Sequence, residues 1–413
     1  MVEYFALAVT TLLTLPSGST ASDSPQLQAL VLPGATAPGT VLELFLEGAP
    51  LDCAGFSASA AFAGNPTNYG YYAASGTAIS TIADFQTLAP DSASNFEAFS
   101  LASCDERSFV FAATNESAPS QRALFISTGS APLERIIGFG DLIDGDPVLS
   151  VSGSSVRGEA LAFNASLPAR PEVIVHLAET DAEPTIVVTD GDPVPGSSEV
   201  FEGLDTPVLV ANQVVFRGFF FPLQRGLYSW TPGGPPEEIV RTGDSVPGAP
   251  GETFADLGSF DAYRNGLAFL AAYGSGAAIF YWDGQVIQRV IGTGDTTTHG
   301  TITAIGPLAA NGSTLAFAAV LDGGAPTLYS QRDGDLHRIL GLGDTLDAGT
   351  VTSFRFDASR NSVAVTAVFS DNARALYRLS FAPTALEVPL GWWTRWPFVL
   401  LLLFSSFWRL RSS

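Results

Sequence analysis

Residues 289–300 read RVIGTGDTTTHG, an apolar run that breaks into Gly292, Thr293, Gly294 and Asp295. Alone, the stretch has the look of a phosphate-binding loop, in which glycines let backbone N–H groups approach a nucleotide. Such a loop occurs once and opens a helix. This one recurs. RIIGFGD, IVVTDGD, EIVRTGD and RILGLGD carry the same Gly-Asp after an apolar run. The glycines are Gly140, Gly191, Gly243, Gly294 and Gly343, spaced 51, 52, 51 and 49 residues apart. DGDPVPG and TGDSVPG extend the likeness to a Pro-Gly at the same offset. Two upstream segments fall into the same frame, LVLPGATAPG with Gly34 and TIADFQTLAP with Phe85, which makes seven units.

A second marker follows inside each unit, in AAFAGN, FVFAAT, LAFNAS, VVFRGF, LAFLAA, LAFAAV and VAVTAV. Its aligned residues are Phe62, Phe111, Phe163, Phe216, Phe269, Phe317 and Val365. A third appears as ALFIS, GLYSW, AIFYW, TLYSQ and ALYRL. Each unit thus holds four strand-length runs rich in β-branched and aromatic residues, punctuated by Gly, Asp, Asn and Pro. No window between the termini sustains a 3.6-residue period. Four short antiparallel strands per roughly 50 residues, seven times over, predict an all-β, seven-bladed β-propeller. The coils of a β-helix are shorter, and tandem sandwiches need about twice the repeat length. The phase of the repeat predicts how the ring closes. QLQALVLPG near the N-terminus matches the fourth strand of a unit, DLHRILGLGD, while the chain's last unit ends after its third strand, ALYRLSF. An N-terminal strand that completes the last blade removes the exposed edge of an open array.

Composition narrows the function classes. The chain has 413 residues, 41 glycines, 27 prolines and a net charge of −22, and every basic residue outside its three histidines is Arg. A field of that sign repels phosphate backbones, so nucleic acid is not an expected partner. Residues 1–21 read as a signal peptide: YFALAVTTLLTL is followed by Pro16 and the small residues Ser19, Thr20 and Ala21. Glu3 stands where such leaders carry basic residues, and a membrane anchor is the rival, but twelve apolar residues are too few to cross about 30 Å of hydrocarbon. The propeller is expected over residues 22–383, with units starting near 34, 85, 140, 191, 243, 294 and 343. Residues 384–413 contain GWWTRWPFVLLLLFSSFWRLRSS and are expected to form a hydrophobic tail helix. Trp392, Trp393 and Trp396 suit an outer interface, and Arg409 and Arg411 a cytoplasmic end.

The repeat, Gly-Asp-x-x-Pro-Gly, then an Asn/Gly-rich turn before a Phe-bearing strand, as in YRNGLAF and AANGSTLAF, resembles the bacterial choice-of-anchor tandem-repeat proteins. The resemblance covers residues 27 to about 382 and both termini. It implies secretion and retention at the cell surface or outer envelope through a variable C-terminal tail, and carries no catalytic residue with it. The tail also resembles the C-terminal sorting tails of bacterial surface proteins, which would bring sorting machinery as a partner; an ordinary single-span membrane anchor is the alternative.

Few residues point to chemistry. Cys53 and Cys104 lie 19 residues after Gly34 and Phe85, at matching places in neighbouring units. Near a propeller axis such positions come within disulfide range, and an oxidising compartment would keep the bond. The recurring Asp141, Asp192, Asp244, Asp295 and Asp344 could ring a pore and bind Ca²⁺, with Asp190 and Asp192 in the densest acid cluster. The competing reading has Gly supplying a positive φ and Asp bonding backbone N–H groups in the same turn. No G-x-S-x-G elbow is present, and His176, His299 and His337 do not align, so no catalytic residue is nominated. Trp230 and Trp282 both lie 39 residues after their unit's Gly and are expected either to contact a ligand or to pack between blades. The resulting expectation is a surface-anchored binding or scaffold module for an extracellular protein or glycan. An extracellular propeller enzyme acting on polysaccharide, or a structural surface component, is the alternative.

Overall fold

The computed structural model describes residues 27–381, apart from short stretches at 39–43, 47–49, 54–55, 64–67, 77, 91, 106–107, 116–121, 129–130 and 333. The expected leader at 1–21 and tail at 384–413 lie outside the described residues. Within them the secondary structure is all strand, in seven four-stranded antiparallel blades at 44–84, 96–138, 150–189, 203–241, 254–292, 300–341 and 349–380. The seventh takes its outer strand from the other end of the chain: Leu27–Val31 pairs with Arg374–Ser380, Leu27 opposite Leu379. The first strand of each blade touches the first strands on either side, and the seventh blade's touches the first blade's. The ring is closed as the repeat phase predicts.

The core is divided into seven layers, each between two neighbouring blades. Phe269 belongs to the layer shared with the fourth blade, alongside Val215 and Leu227. Its neighbour Ala268 faces the sixth blade, alongside Phe317 and Leu315. The same division holds for Phe163 and Ala162, and for Val365 and Ala364. Successive residues of a strand point to opposite sides of the sheet, so a large-small pair gives each blade a bulky face and a thin one. Both faces of the second strand are buried, which is why these strands read as continuous apolar runs rather than alternating ones. Across the second and third strands the large residues stack. Phe269 and Phe280 lie 5.6 Å apart and 22° from parallel, and Phe111–Phe125, Phe216–Tyr228 and Phe317–Tyr329 repeat the pair. All seven layers and the closing strand lie within 27–381, one compact unit that completes its core from its own residues.

Two places in the repeat frame need correction. In the first blade Ser59, not Phe62, lies opposite Tyr72, the position the marker Phe holds elsewhere. Phe62 falls three residues further on and is half-buried. The Ala-rich run FSASAAFA supplied a Phe, but not at the register the hairpin sets. In the second unit the turn spans Asp84–Thr87, with the Thr87 N–H bonded to the Asp84 carbonyl and the Thr87 hydroxyl near the Asp84 N–H. Gln86, not Phe85, therefore stands where the other units have Gly, and Thr87 replaces the Asp.

Candidate functional site

The recurring Gly-Asp builds the hinge between blades. Gly292 to Asp295 is a four-residue turn in which the Asp295 N–H bonds the Gly292 carbonyl, with Gly294 at φ +87° in third place. That is a type II turn, and only Gly enters its third position without strain. The corresponding glycines at 34, 140, 191, 243 and 343 have φ between +85° and +96°. The Gly294 N–H and the Asp295 carbonyl then clamp Ile302, at the start of the next blade's first strand. Each hinge Asp turns its carboxylate inward on the turn. Asp141, Asp192, Asp244, Asp295 and Asp344 accept the backbone N–H three residues earlier at 2.7–2.8 Å. Arg135, Arg289 and Arg338, six residues before their Asp, add ion pairs at 2.7–2.8 Å. The motif Arg-x-x-Gly-x-Gly-Asp is thus a complete structural unit, and the Arg was the part of it that the sequence reading passed over. Asp192 holds the Thr189 N–H, and Asp190 sits beside Glu172. Among the described residues no three His, Cys, Asp or Glu side chains gather as a metal-ion site.

Cys53 and Cys104 form the expected disulfide, with an S–S distance of 2.05 Å between the first strands of the first two blades. Trp230 and Trp282 are packed rather than presented, at 4% and 8% exposure. Trp230 lies in the layer between the third and fourth blades, its ring 5.4 Å from His176, and Trp282 in the next layer round the ring. Burial lowers the basicity of His176. Both tryptophans take the packing alternative, so neither offers a face to a ligand.

Near the axis, carboxylates and hydroxyls stitch first strands together at three of the junctions between blades. Asp261 accepts the Ala310 N–H at 2.8 Å and Asp357 the Asp52 N–H at 2.9 Å, while Ser155 and Ser259 do the same for Leu209 and Leu308. Burial pushes the Asp261 carboxyl up to about 6. Asp357 is pushed up to about 8 by burial and then by the negative charge of Asp261, with the Asp52 N–H opposing. Asp52 itself is fully buried; burial raises it, and Arg378, 3.2 Å away, opposes that. Asp357 and Asp52 join the seventh blade to the first, and Asp261 joins the fifth to the sixth. Sequence spacing gave no sign of them, because they sit outside the repeated motifs and meet only when the ring closes.

The largest departure from ordinary surface lies at one end of the ring. In every blade the turn between second and third strands and the hinge to the next blade emerge at the same end, because alternate strands are antiparallel. Among the described residues nine large apolar side chains are exposed. Eight of them belong to this hinge end, Leu32 and Leu88 in the first two hinges and six around the third and fourth blades; only Val286 lies at the other. Both ends of the ring's chain, Leu27 and Ser380, lie at that other end, since the seventh blade's third strand runs away from the hinges and the closing strand runs back toward them.

The sequence matches no curated protein. It matches the model of a family of unknown function, DUF7453, over residues 51–365, and the chain belongs to that family. Solved structures share its fold at low identity. A chain from a structural and mechanistic analysis of two prolyl endopeptidases gives 11% identity and a TM-score of 0.52 over 82% of this chain and 48% of that one. The β-propeller domain of the trilobed protease from Pyrococcus furiosus gives 11% and 0.49, over 81% of this chain and 95% of that one. The polysaccharide lyase Uly1 gives 10% and 0.47, over 87% and 98%. These likenesses concern the fold.

Proposed function

We propose that this DUF7453 protein is a secreted, surface-retained binding or scaffold module whose ligand is an extracellular protein or glycan. The observation that carries the reading is the polarity of the ring: exposed apolar side chains collect at the hinge end, and both chain ends leave from the other. Apolar side chains exposed together on one end of a protein mark a place where a partner docks. The leader-like N-terminus, the tail and the resemblance to choice-of-anchor repeat proteins support export and anchoring, and a disulfide suits an oxidising compartment. A polysaccharide-acting enzyme would draw on Asp261 and Asp357, two axial carboxyls whose acidity is lowered to unequal degrees. Both already accept backbone N–H groups, which favours a stitching role. Residues 22–383 screened against a glycan array and a panel of basic and acidic peptides should retain at least one class without altering it. Turnover of a retained polysaccharide would overturn the reading in favour of the enzyme.

A further inference from the structure

The hinge end of the third and fourth blades concentrates what a ligand surface needs. Leu223 is 97% exposed, Phe221 65% and Leu142 62%; Val200, Phe139 and Leu149 are also largely exposed. Backbone pairing builds the group in two parts, one on each blade. The Glu202 N–H bonds the Phe219 carbonyl, which brings the hinge carrying Val200 against the turn carrying Phe221 and Leu223. The Leu149 N–H bonds the Ser166 carbonyl and Leu142 pairs with Pro147, so the preceding hinge repeats the arrangement one blade earlier. Acids border the group: Glu199 and Glu202 are exposed, and Asp190 is half-exposed beside Glu172. Burial, with the charges of Asp190 and Asp205, raises the Glu172 carboxyl against the pull of the Leu204 N–H. Of the cations nearby, Arg217 is paired with Asp205 and Arg170 with Asp144 and Asp146.

We infer that this surface binds a basic polypeptide segment whose apolar side chains dock on Leu142, Val200, Phe221 and Leu223 while its Arg or Lys residues meet Glu199, Glu202 and Asp190. The inference rests on the binding-module reading and names its ligand class. Charge selects the occupant. With a net charge of −22 and an acidic border, the surface repels an anionic membrane and a second copy of itself. A cationic segment gains both apolar burial and long-range attraction.

The test uses residues 22–383 and three short labelled peptides, alternating Leu with Lys, Leu with Glu, and Ser with Lys, read by fluorescence polarisation. The Leu/Lys peptide should bind, weaken as salt is raised, and outbind both others. The variant Phe221→Ser/Leu223→Ser should lose at least about tenfold in affinity. Val286→Ser, at the opposite end, should lose nothing. Both positions face solvent, so thermal melts of the variants should match wild type. Equal binding of the Ser/Lys peptide, unchanged affinity in the double variant, or no binding of the Leu/Lys peptide would each overturn the inference. Self-association, or adsorption to phosphatidylcholine vesicles, that disappears in the same double variant would assign the surface another occupant and overturn it too. A ligand found by the array screen but indifferent to Phe221 and Leu223 would leave the binding-module reading standing and remove this one alone.

Discussion

At the scale of single residues, Gly294 and Asp295 show how a feature that invites a functional reading can be wholly occupied by structure. A Cβ on Gly294 would meet no atom within 4 Å, so the glycine is there for its φ of +87° and not for space. The Asp295 carboxylate is spent on the Gly292 N–H and on Arg289. The residue with unusual chemistry is Asp357. Its carboxyl titrates near 8 in the folded chain against an ordinary value of 3.8, facing Asp261, Asp52 and, behind Asp52, Arg378. The folded state therefore holds a proton that the unfolded chain has released over that interval, and stability should fall as pH rises from about 4 to about 8. Asp357→Asn keeps an acceptor for the Asp52 N–H and removes the titration. It should melt with wild type at pH 4 and a few degrees above it at pH 8, by differential scanning calorimetry. A variant no more stable than wild type at pH 8 would show that the carboxylate is not strained by burial.

At the scale of elements, what was legible in the sequence was whatever repeats. The hinge turns, the second-strand Phe and the third-strand aromatic each recur near 50 residues, because each blade must meet the next in the same way. The closing strand Leu27–Val31 was legible from phase alone. The first blade was read least well. Its second strand offers Phe62 at the wrong register and Ser59 at the right one, and its first strand is divided between Leu44–Leu46 and Leu51–Cys53. Ser59 stands where other blades stack an aromatic, and Tyr71 carries the ring contacts to Phe109 and Phe111 of the second blade instead. The disulfide closes a 51-residue separation at that place. Cys53→Ser with Cys104→Ser should cost about 2–4 kcal/mol in denaturant unfolding. A cost near zero would mean that the first blade is held as firmly as the others without its staple.

For the whole molecule, the ring gives two ends with different chemistry. The sequence disclosed the ring, because blades repeat. It did not disclose the ends, because Leu142, Val200, Phe221 and Leu223 belong to hinges and turns whose apolar residues look like strand residues until their exposure is known. The axial acids were hidden for a related reason: Asp52, Asp261 and Asp357 lie far apart in the chain, yet Asp357 bonds Asp52 across the closing seam and feels the charge of Asp261 from the fifth blade. Trp230 and Trp282 take the packing alternative because blade-to-blade layers consume large aromatics wherever strands are buried on both faces. The proposed function requires that the hinge end be reachable from outside the cell. Leu223→Cys, expressed in intact cells and treated with a membrane-impermeant maleimide, tests that most directly. The account predicts labelling without lysis, at a site 97% exposed in the native residue. Labelling only after the cells are broken would contradict it.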